Sequence, residues 1–62
     1  MKCFYIVNVD RNGEKEFWTK KQCLTKDFSK AMTTFSKTRI QNEFEVAQGF
    51  YSTKNLVIEE KV

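Results

Sequence analysis

The side chains that could carry acid–base chemistry are few in this sequence, and none stands in a catalytic arrangement. The 62 residues contain no histidine, so proton transfer would fall to carboxylates, lysines or cysteines. The acid pairs Glu43/Glu45 and Glu59/Glu60 are close only in sequence. Residues two apart on a helix, or adjacent on a strand, point in different directions. We therefore predict that these acids serve solubility and that the protein is not an enzyme.

The two cysteines offer no better catalytic or metal-binding group. Cys3 and Cys23 have no neighbouring base and are expected to be inert, reduced thiols. Two cysteines without histidine are too few ligands for structural zinc, and no glycine-rich phosphate loop occurs, so no metal or cofactor is predicted. Met1 and Lys2 lead into a short apolar run, CFYIVNV, that is untypical of a signal peptide and too short to span a bilayer. We expect a cytoplasmic protein with no membrane partner.

Trp18 with Lys20 and Lys21 is the one group of residues with a recognisable binding chemistry. A tryptophan ring can stack on a base while lysines hold the phosphates, as in proteins that bind single-stranded nucleic acid. The formal net charge is only +3, however, and the lysines are scattered along the chain. Nucleic acid is therefore the less favoured partner, and a small basic nucleic-acid-binding protein that uses these three residues is the alternative function.

The composition indicates one folded domain over residues 1–62. A domain of this size buries only about 60% of its unfolded surface, so large rings are needed to build a core. Aromatic residues make up 15% of the chain and include six phenylalanines, which meets that need.

Asn12-Gly13, between two strand-like runs, predicts a hairpin with a two-residue loop. Such a loop would place the following residues opposite each other: Arg11 and Glu14, Asp10 and Lys15, Val9 and Glu16, Asn8 and Phe17, Val7 and Trp18. The first two pairs carry opposite charges, which favours this register by about 0.2–1 kcal/mol for each pair.

One helix and a final strand follow in the second half of the chain. The predicted helix begins after Ser36 as N-cap and ends at a left-handed Gly49. Its apolar stripe contains Ile40, Phe44, Ala47 and Tyr51. Residues 27–35 could be helix or strand; we favour a turn near Asp27 to Lys30 and then a strand over AMTTF. With NLVIEEKV as the last strand, the expected fold is α+β in the order β-β-β-α-β. One helix would cover one face of an antiparallel or mixed sheet.

The predicted register assigns the two neighbouring rings, Phe17 and Trp18, to opposite faces of the sheet. We expect Phe17 to face the helix. The other face would expose a protein-binding site of Tyr5, Val7 and Trp18 with Lys20 at its edge, because an apolar patch rimmed by charge is typical of a contact site. The opposite assignment of faces stays open, as does burial of this patch in a homodimeric structural module.

The order of these segments resembles small bacteriophage-encoded accessory proteins, including phage antitoxins that neutralise host RNase toxins. The segments that carry the resemblance are YIVNV, FWTK, TKDFSKAMTTF and the helix from Ser36. The resemblance implies a non-enzymatic inhibitor that works in the host cytoplasm and binds a host or defence protein. It assigns no binding role to any particular residue.

Overall fold

The computed structural model describes residues 1–62 as one four-stranded antiparallel sheet with one helix packed against it. The strands are β1 (Cys3–Val9), β2 (Lys15–Trp18), β3 (Leu24–Thr25) and β4 (Leu56–Lys61), in the spatial order β3-β2-β1-β4. The helix α1 spans Lys37–Phe50, and a 3₁₀ turn spans Phe28–Lys30. The predicted α+β class and the element order β-β-β-α-β are confirmed.

The loop between β1 and β2 contains three residues rather than the predicted two. The Gly13 N–H donates to the Asp10 carbonyl at 3.0 Å, and the Asp10 N–H donates to the Glu14 carbonyl at 2.9 Å. The carboxylate oxygen Oδ1 of Asp10 also accepts from the N–H groups of Asn12 and Glu14, each at 2.9 Å. Gly13 alone in this loop has a positive φ, +80°. This is a type I turn followed by a left-handed glycine.

The third loop residue shifts the predicted pairing of β1 with β2 by one residue. The observed partners are Val7 and Phe17, Asn8 and Glu16, and Val9 and Lys15. Because side chains alternate between the two faces of a sheet, a shift of one residue moves every β2 side chain to the other face. The predicted register was therefore wrong, and so was the assignment of faces that depended on it.

The loop between β2 and β3 repeats this three-residue geometry. The Thr19 N–H donates to the Cys23 carbonyl at 2.9 Å, and the Gln22 N–H donates to the Thr19 carbonyl at 3.0 Å. Gln22 occupies the position of Gly13 and has a φ of 61°. A glutamine in this left-handed region carries a steric cost of about 1–2 kcal/mol that glycine avoids.

The third strand lies earlier in the chain than predicted. β3 is Leu24–Thr25, and the expected strand over AMTTF is reduced to one isolated bridge between Phe4 and Thr34. β2 pairs with Val7 to Val9 of β1, and the AMTTF segment meets the rest of that edge only at Phe4, while its Met32 N–H donates to the Trp18 carbonyl of β2. The predicted turn near Asp27 to Lys30 is confirmed as the 3₁₀ turn, which Asp27 caps by accepting from the Ser29 N–H at 3.0 Å.

The helix begins where the sequence predicted and ends later. Ser36 is the N-cap, and its hydroxyl accepts from the Arg39 N–H at 3.2 Å. Gly49 lies inside α1 without a positive φ, so its predicted role as the helix end was wrong. The last turn closes with the Tyr51 N–H donating to the Ala47 carbonyl at 2.9 Å.

The core lies between α1 and one face of the sheet. Its fully or nearly fully buried residues are Ile6, Trp18, Met32, Ile40, Ala47 and Leu56. Half-buried Phe4, Phe44 and Ile58 pack against them with Leu24 and Tyr51. The predicted helix stripe thus faces the core, and large side chains fill it as expected for so small a domain.

The two loops share one left-handed position, at Gly13 and at Gln22. Glycine introduced at Gln22 and alanine introduced at Gly13 should therefore change the stability in opposite directions. Gln22→Gly should stabilise the fold by about 1 kcal/mol, because relief of the left-handed strain exceeds the added entropy of the unfolded glycine. Gly13→Ala should destabilise it by about 1 kcal/mol, and by backbone strain alone, since no atom lies within 4 Å of the added methyl group. Urea unfolding of both variants measures the two changes, and shifts of the same sign would contradict the paired geometry.

Candidate protein-binding surface

Trp18 lies on the face of the sheet that packs against α1. Its side chain is 0% exposed, and its ring centre lies 5.9 Å from that of Phe50 and 6.1 Å from that of Tyr51. The indole Nε1–H donates to Oε1 of Glu43 on the helix at 3.1 Å. The prediction of an exposed Trp18 was wrong, because the three-residue loop turns this ring inward. A ring buried in this way cannot stack on a nucleic-acid base.

The other face of the sheet, called the outer face below, carries three aromatic rings in mutual edge contact. Tyr5 comes from β1, Phe17 from β2 and Phe28 from the 3₁₀ turn. The ring centres lie 5.9 Å apart for Tyr5 and Phe17, 5.0 Å for Tyr5 and Phe28, and 5.1 Å for Phe17 and Phe28. Phe17 was predicted to face the helix and instead belongs to this cluster. Edge-to-face contacts of this kind hold rings in fixed orientations.

Two half-exposed valines extend the aromatic cluster along the outer face. Val9 is 50% exposed and Val57 is 48% exposed. Both share this face with Val7, since Val57 pairs directly with Val7 and Val9 lies two residues further along β1. The outer-face patch is defined here as Tyr5, Val9, Phe17, Phe28 and Val57.

The structure brings together two of the four residues predicted as a binding site. Tyr5 and Val7 do share the outer face, but Val7 is 0% exposed and offers no contact surface. Trp18 lies on the opposite face, and Lys20 lies at the tip of the loop between β2 and β3. The predicted site is therefore not one surface.

Sequence reasoning missed Phe28 and Val57 as members of the patch. Alternation along β4 could have identified Val57, because Leu56 is buried on the helix face and its neighbour must point the other way. Phe28 could not be placed in this way, since its turn reaches the sheet only through tertiary contacts.

A hydrogen-bonded charge network borders the patch on the β4 side. Oε1 of Glu59 accepts from the Tyr5 hydroxyl at 3.1 Å and from the Lys15 ammonium at 3.1 Å. Burial, followed by the hydrogen bond to Glu59, raises the pKa of Tyr5 above its ordinary value. The Lys61 ammonium lies 4.8 Å from the centre of the Phe28 ring, within the range of a cation–π contact. The border of the patch is thus polar and carries two lysines.

A second ion pair ties the segment that carries Phe28 to the first hairpin loop. The Lys26 ammonium pairs with Glu14 and approaches the Asp10 carboxylate at 4.0 Å. The hydrogen bond to Glu14, followed by its charge, raises the pKa of Lys26. Exposed pairs of this kind contribute little to stability, so the contact helps to place the 3₁₀ turn rather than to hold the fold.

Comparisons of the chain with protein-family models, with curated proteins and with solved structures found no match. The resemblance to phage-encoded proteins accordingly stays a prediction from the sequence. The chain contains no helix of the length and hydropathy that crossing a bilayer requires. It also contains no group of three or more acidic, cysteine or histidine side chains placed to hold a metal ion.

The burial of Trp18 predicts a larger loss of stability for Trp18→Ala than for Phe17→Ala. Trp18→Ala leaves a cavity in the only core and should cost about 3–5 kcal/mol, which approaches the whole stability of a domain this small. Phe17→Ala should lose less stability, because part of the half-buried Phe17 ring is already in contact with water. Urea unfolding followed by circular dichroism ranks the two variants.

A fluorescence measurement checks the same assignment without a substitution. Trp18 is the only tryptophan, so in the wild type it should resist quenching by acrylamide and become accessible only on unfolding. Ready quenching in the native state, or a Trp18→Ala variant as stable as wild type, would contradict the buried position.

The raised pKa of Tyr5 predicts a loss of stability at high pH. The folded state favours the neutral phenol, so its contribution is complete below the unfolded pKa of about 10 and is lost as pH rises through the higher folded value. Tyr5→Phe should therefore lose less stability than wild type between neutral pH and the alkaline range. Parallel thermal melts across that range compare the two proteins, and identical pH profiles would contradict the prediction.

Proposed function

We propose that this chain is a small non-enzymatic binding protein that docks another protein on its outer-face patch. The observation that carries the proposal is the exposed apolar strip of Val9 and Val57 beside three rings in mutual edge contact. A small exposed apolar area with a charged border is typical of a contact site. Rings already fixed by their neighbours lose little freedom when a partner binds.

The charges at the border favour a partner whose contact surface has an acidic edge. Glu59 is engaged by both Tyr5 and Lys15, which leaves less negative charge to face a partner. Lys61 lies over the Phe28 ring and has no acidic partner within the chain. Complementary charge of this kind speeds association and selects the partner more than it adds affinity.

We further propose that the partner is a host or defence protein and that the chain inhibits it. The support for this part is the resemblance of YIVNV, FWTK and TKDFSKAMTTF to small phage-encoded proteins. A rigid sheet with an aromatic patch suits such a role, since an inhibitor needs a preorganised contact surface rather than reacting groups.

The proposed function predicts that an acidic substitution in the patch abolishes partner capture while the fold survives. Val57→Asp should weaken binding at least tenfold, because it places a charge in the apolar centre and repels an acidic edge. Val46→Asp is the matched control, since Val46 is 39% exposed on the helix, away from the outer face. The measurement is quantitative affinity capture from a lysate of the cells in which the chain is naturally made. Titration with the captured protein then gives the affinity of each variant.

Equal loss of binding in both variants, or no loss in Val57→Asp, would contradict docking at the patch. Sedimentation equilibrium of the purified chain distinguishes the homodimer alternative. A dimer that Val57→Asp dissociates would show that a second copy occupies the patch, in place of a different protein.

A further inference from the structure

A second surface with its own chemistry lies at the end of β2, apart from the outer-face patch. The loop between β2 and β3, strand β3 and the last residues of the 3₁₀ turn line an open groove of about 690 Å³. Three lysines line it: Lys20 and Lys21 at the loop tip, and Lys30 at the end of the 3₁₀ turn. No aspartate or glutamate lines the groove.

The groove lysines are also free of acidic partners elsewhere in the chain. Of the nine lysines, Lys2, Lys15, Lys26 and Lys54 form ion pairs, whereas the three groove lysines form none. The nearest acid in sequence is Asp27, and its Oδ1 accepts from the N–H and the hydroxyl of Ser29 at 3.0 and 2.7 Å. Those two bonds lower the pKa of Asp27, and the positive charge of Lys30 lowers it further by a smaller amount. The groove therefore carries an excess of positive charge, which the ionised Asp27 near Lys30 offsets only in part.

The backbone under this charge is held in one conformation. Thr19 is buried, and both its N–H and its hydroxyl donate to the Cys23 carbonyl, at 2.9 and 3.0 Å. These bonds close the loop and fix the backbone of Lys20 and Lys21 at the first two of its three positions. The Met32 N–H donates to the Trp18 carbonyl at 2.8 Å and holds the opposite wall against the same strand. The fold thus fixes the backbone positions from which the groove lysines project.

We infer that this groove binds phosphate groups of an anionic ligand and does not recognise bases. Lysine holds phosphate as a point charge, and contacts to the phosphate backbone carry no sequence information. The only aliphatic side chains in the groove are Leu24 and Ala31, and no aromatic ring lines it. Trp18, the ring that could have stacked on a base, is buried on the helix face. The shared chemistry of the ligand is a row of phosphates, from a nucleic-acid backbone or from a free polyphosphate.

The test measures binding of three probes to the intact chain: a short DNA duplex, inorganic tripolyphosphate and a poly-glutamate peptide. If three lysines neutralise three phosphates, the duplex association constant should fall with salt with a log–log slope of about −2.7. This equals a loss of roughly 40-fold between about 50 and about 200 mM NaCl. Lys20→Gln/Lys21→Gln/Lys30→Gln should remove this binding.

The matched control is Arg11→Gln/Lys37→Gln/Arg39→Gln. Each triple variant lowers the formal net charge from +3 by three, to zero, and all six side chains are exposed and form no ion pair. The control should keep the salt-dependent binding, since its substitutions lie outside the groove. Equal loss in both variants would show general charge attraction and overturn the site.

Cys23 provides an independent report on where the probe binds. Cys23 is exposed and lines the groove, whereas the half-buried Cys3 lies at the start of β1. A bound phosphate probe should slow alkylation of Cys23 and leave Cys3 unchanged. Protection by the duplex identifies a nucleic-acid backbone as a ligand, and protection by tripolyphosphate identifies a free polyphosphate. Absence of binding at low salt, absence of Cys23 protection, or equally tight binding of poly-glutamate would overturn the inference.

Discussion

The carboxylate of Asp10 and the left-handed Gly13 determine the loop on which the rest of the structure depends. Asp10 accepts the N–H groups of Asn12 and Glu14 and so fixes a loop of three residues between β1 and β2. A loop with one residue fewer would pair Val7 with Trp18 instead of Phe17, and every β2 side chain would change face. The conformation of this exposed turn therefore determines that Trp18, and not Phe17, enters the core.

The consequences of this register extend to both faces of the sheet. On the helix face, Trp18 fills the centre of the core, and its Nε1–H bonds to Glu43 so that no indole polar group is left unpaired. On the outer face, Phe17 meets Tyr5 and Phe28 and leaves Val9 and Val57 half exposed. The same shift thus supplies the core with its largest ring and the proposed contact surface with its aromatic base.

The sequence predicted the fold class, the start of the helix and the 3₁₀ turn, because each depends on local signals. Ser36 caps the helix and Asp27 caps the turn through their own side-chain oxygens. The register failed because DRNG contains two competing turn signals. Asn-Gly favours a two-residue loop, whereas aspartate at the first position and glycine at the fourth favour a type I turn. The expected pair of Asp10 with Lys15 could not decide between the two loop lengths. Asp10 pairs with Lys26 instead, and Lys15 pairs with Glu59.

The remaining errors come from contacts that no local pattern contains. α1 continues through Gly49 to Phe50, whose ring lies 5.9 Å from that of Trp18, so tertiary packing outweighs a helix-ending glycine. Phe28 joins the outer-face patch through rings on two other strands. The groove depends on Lys30 meeting Lys20 and Lys21 across a gap in sequence. Each of these features requires the folded chain, so only fragments of either surface could be predicted.

The most direct test of this account is the pattern of cross-strand nuclear Overhauser effects between β1 and β2. The bond from the Asp10 N–H to the Glu14 carbonyl makes Val9 with Lys15, and Val7 with Phe17, the closely spaced non-hydrogen-bonded pairs. The account predicts strong Hα–Hα effects within these two pairs. Strong Hα–Hα effects between Asp10 and Lys15, and between Asn8 and Phe17, would restore the two-residue loop and contradict the buried Trp18, the outer-face patch and the function proposed from it.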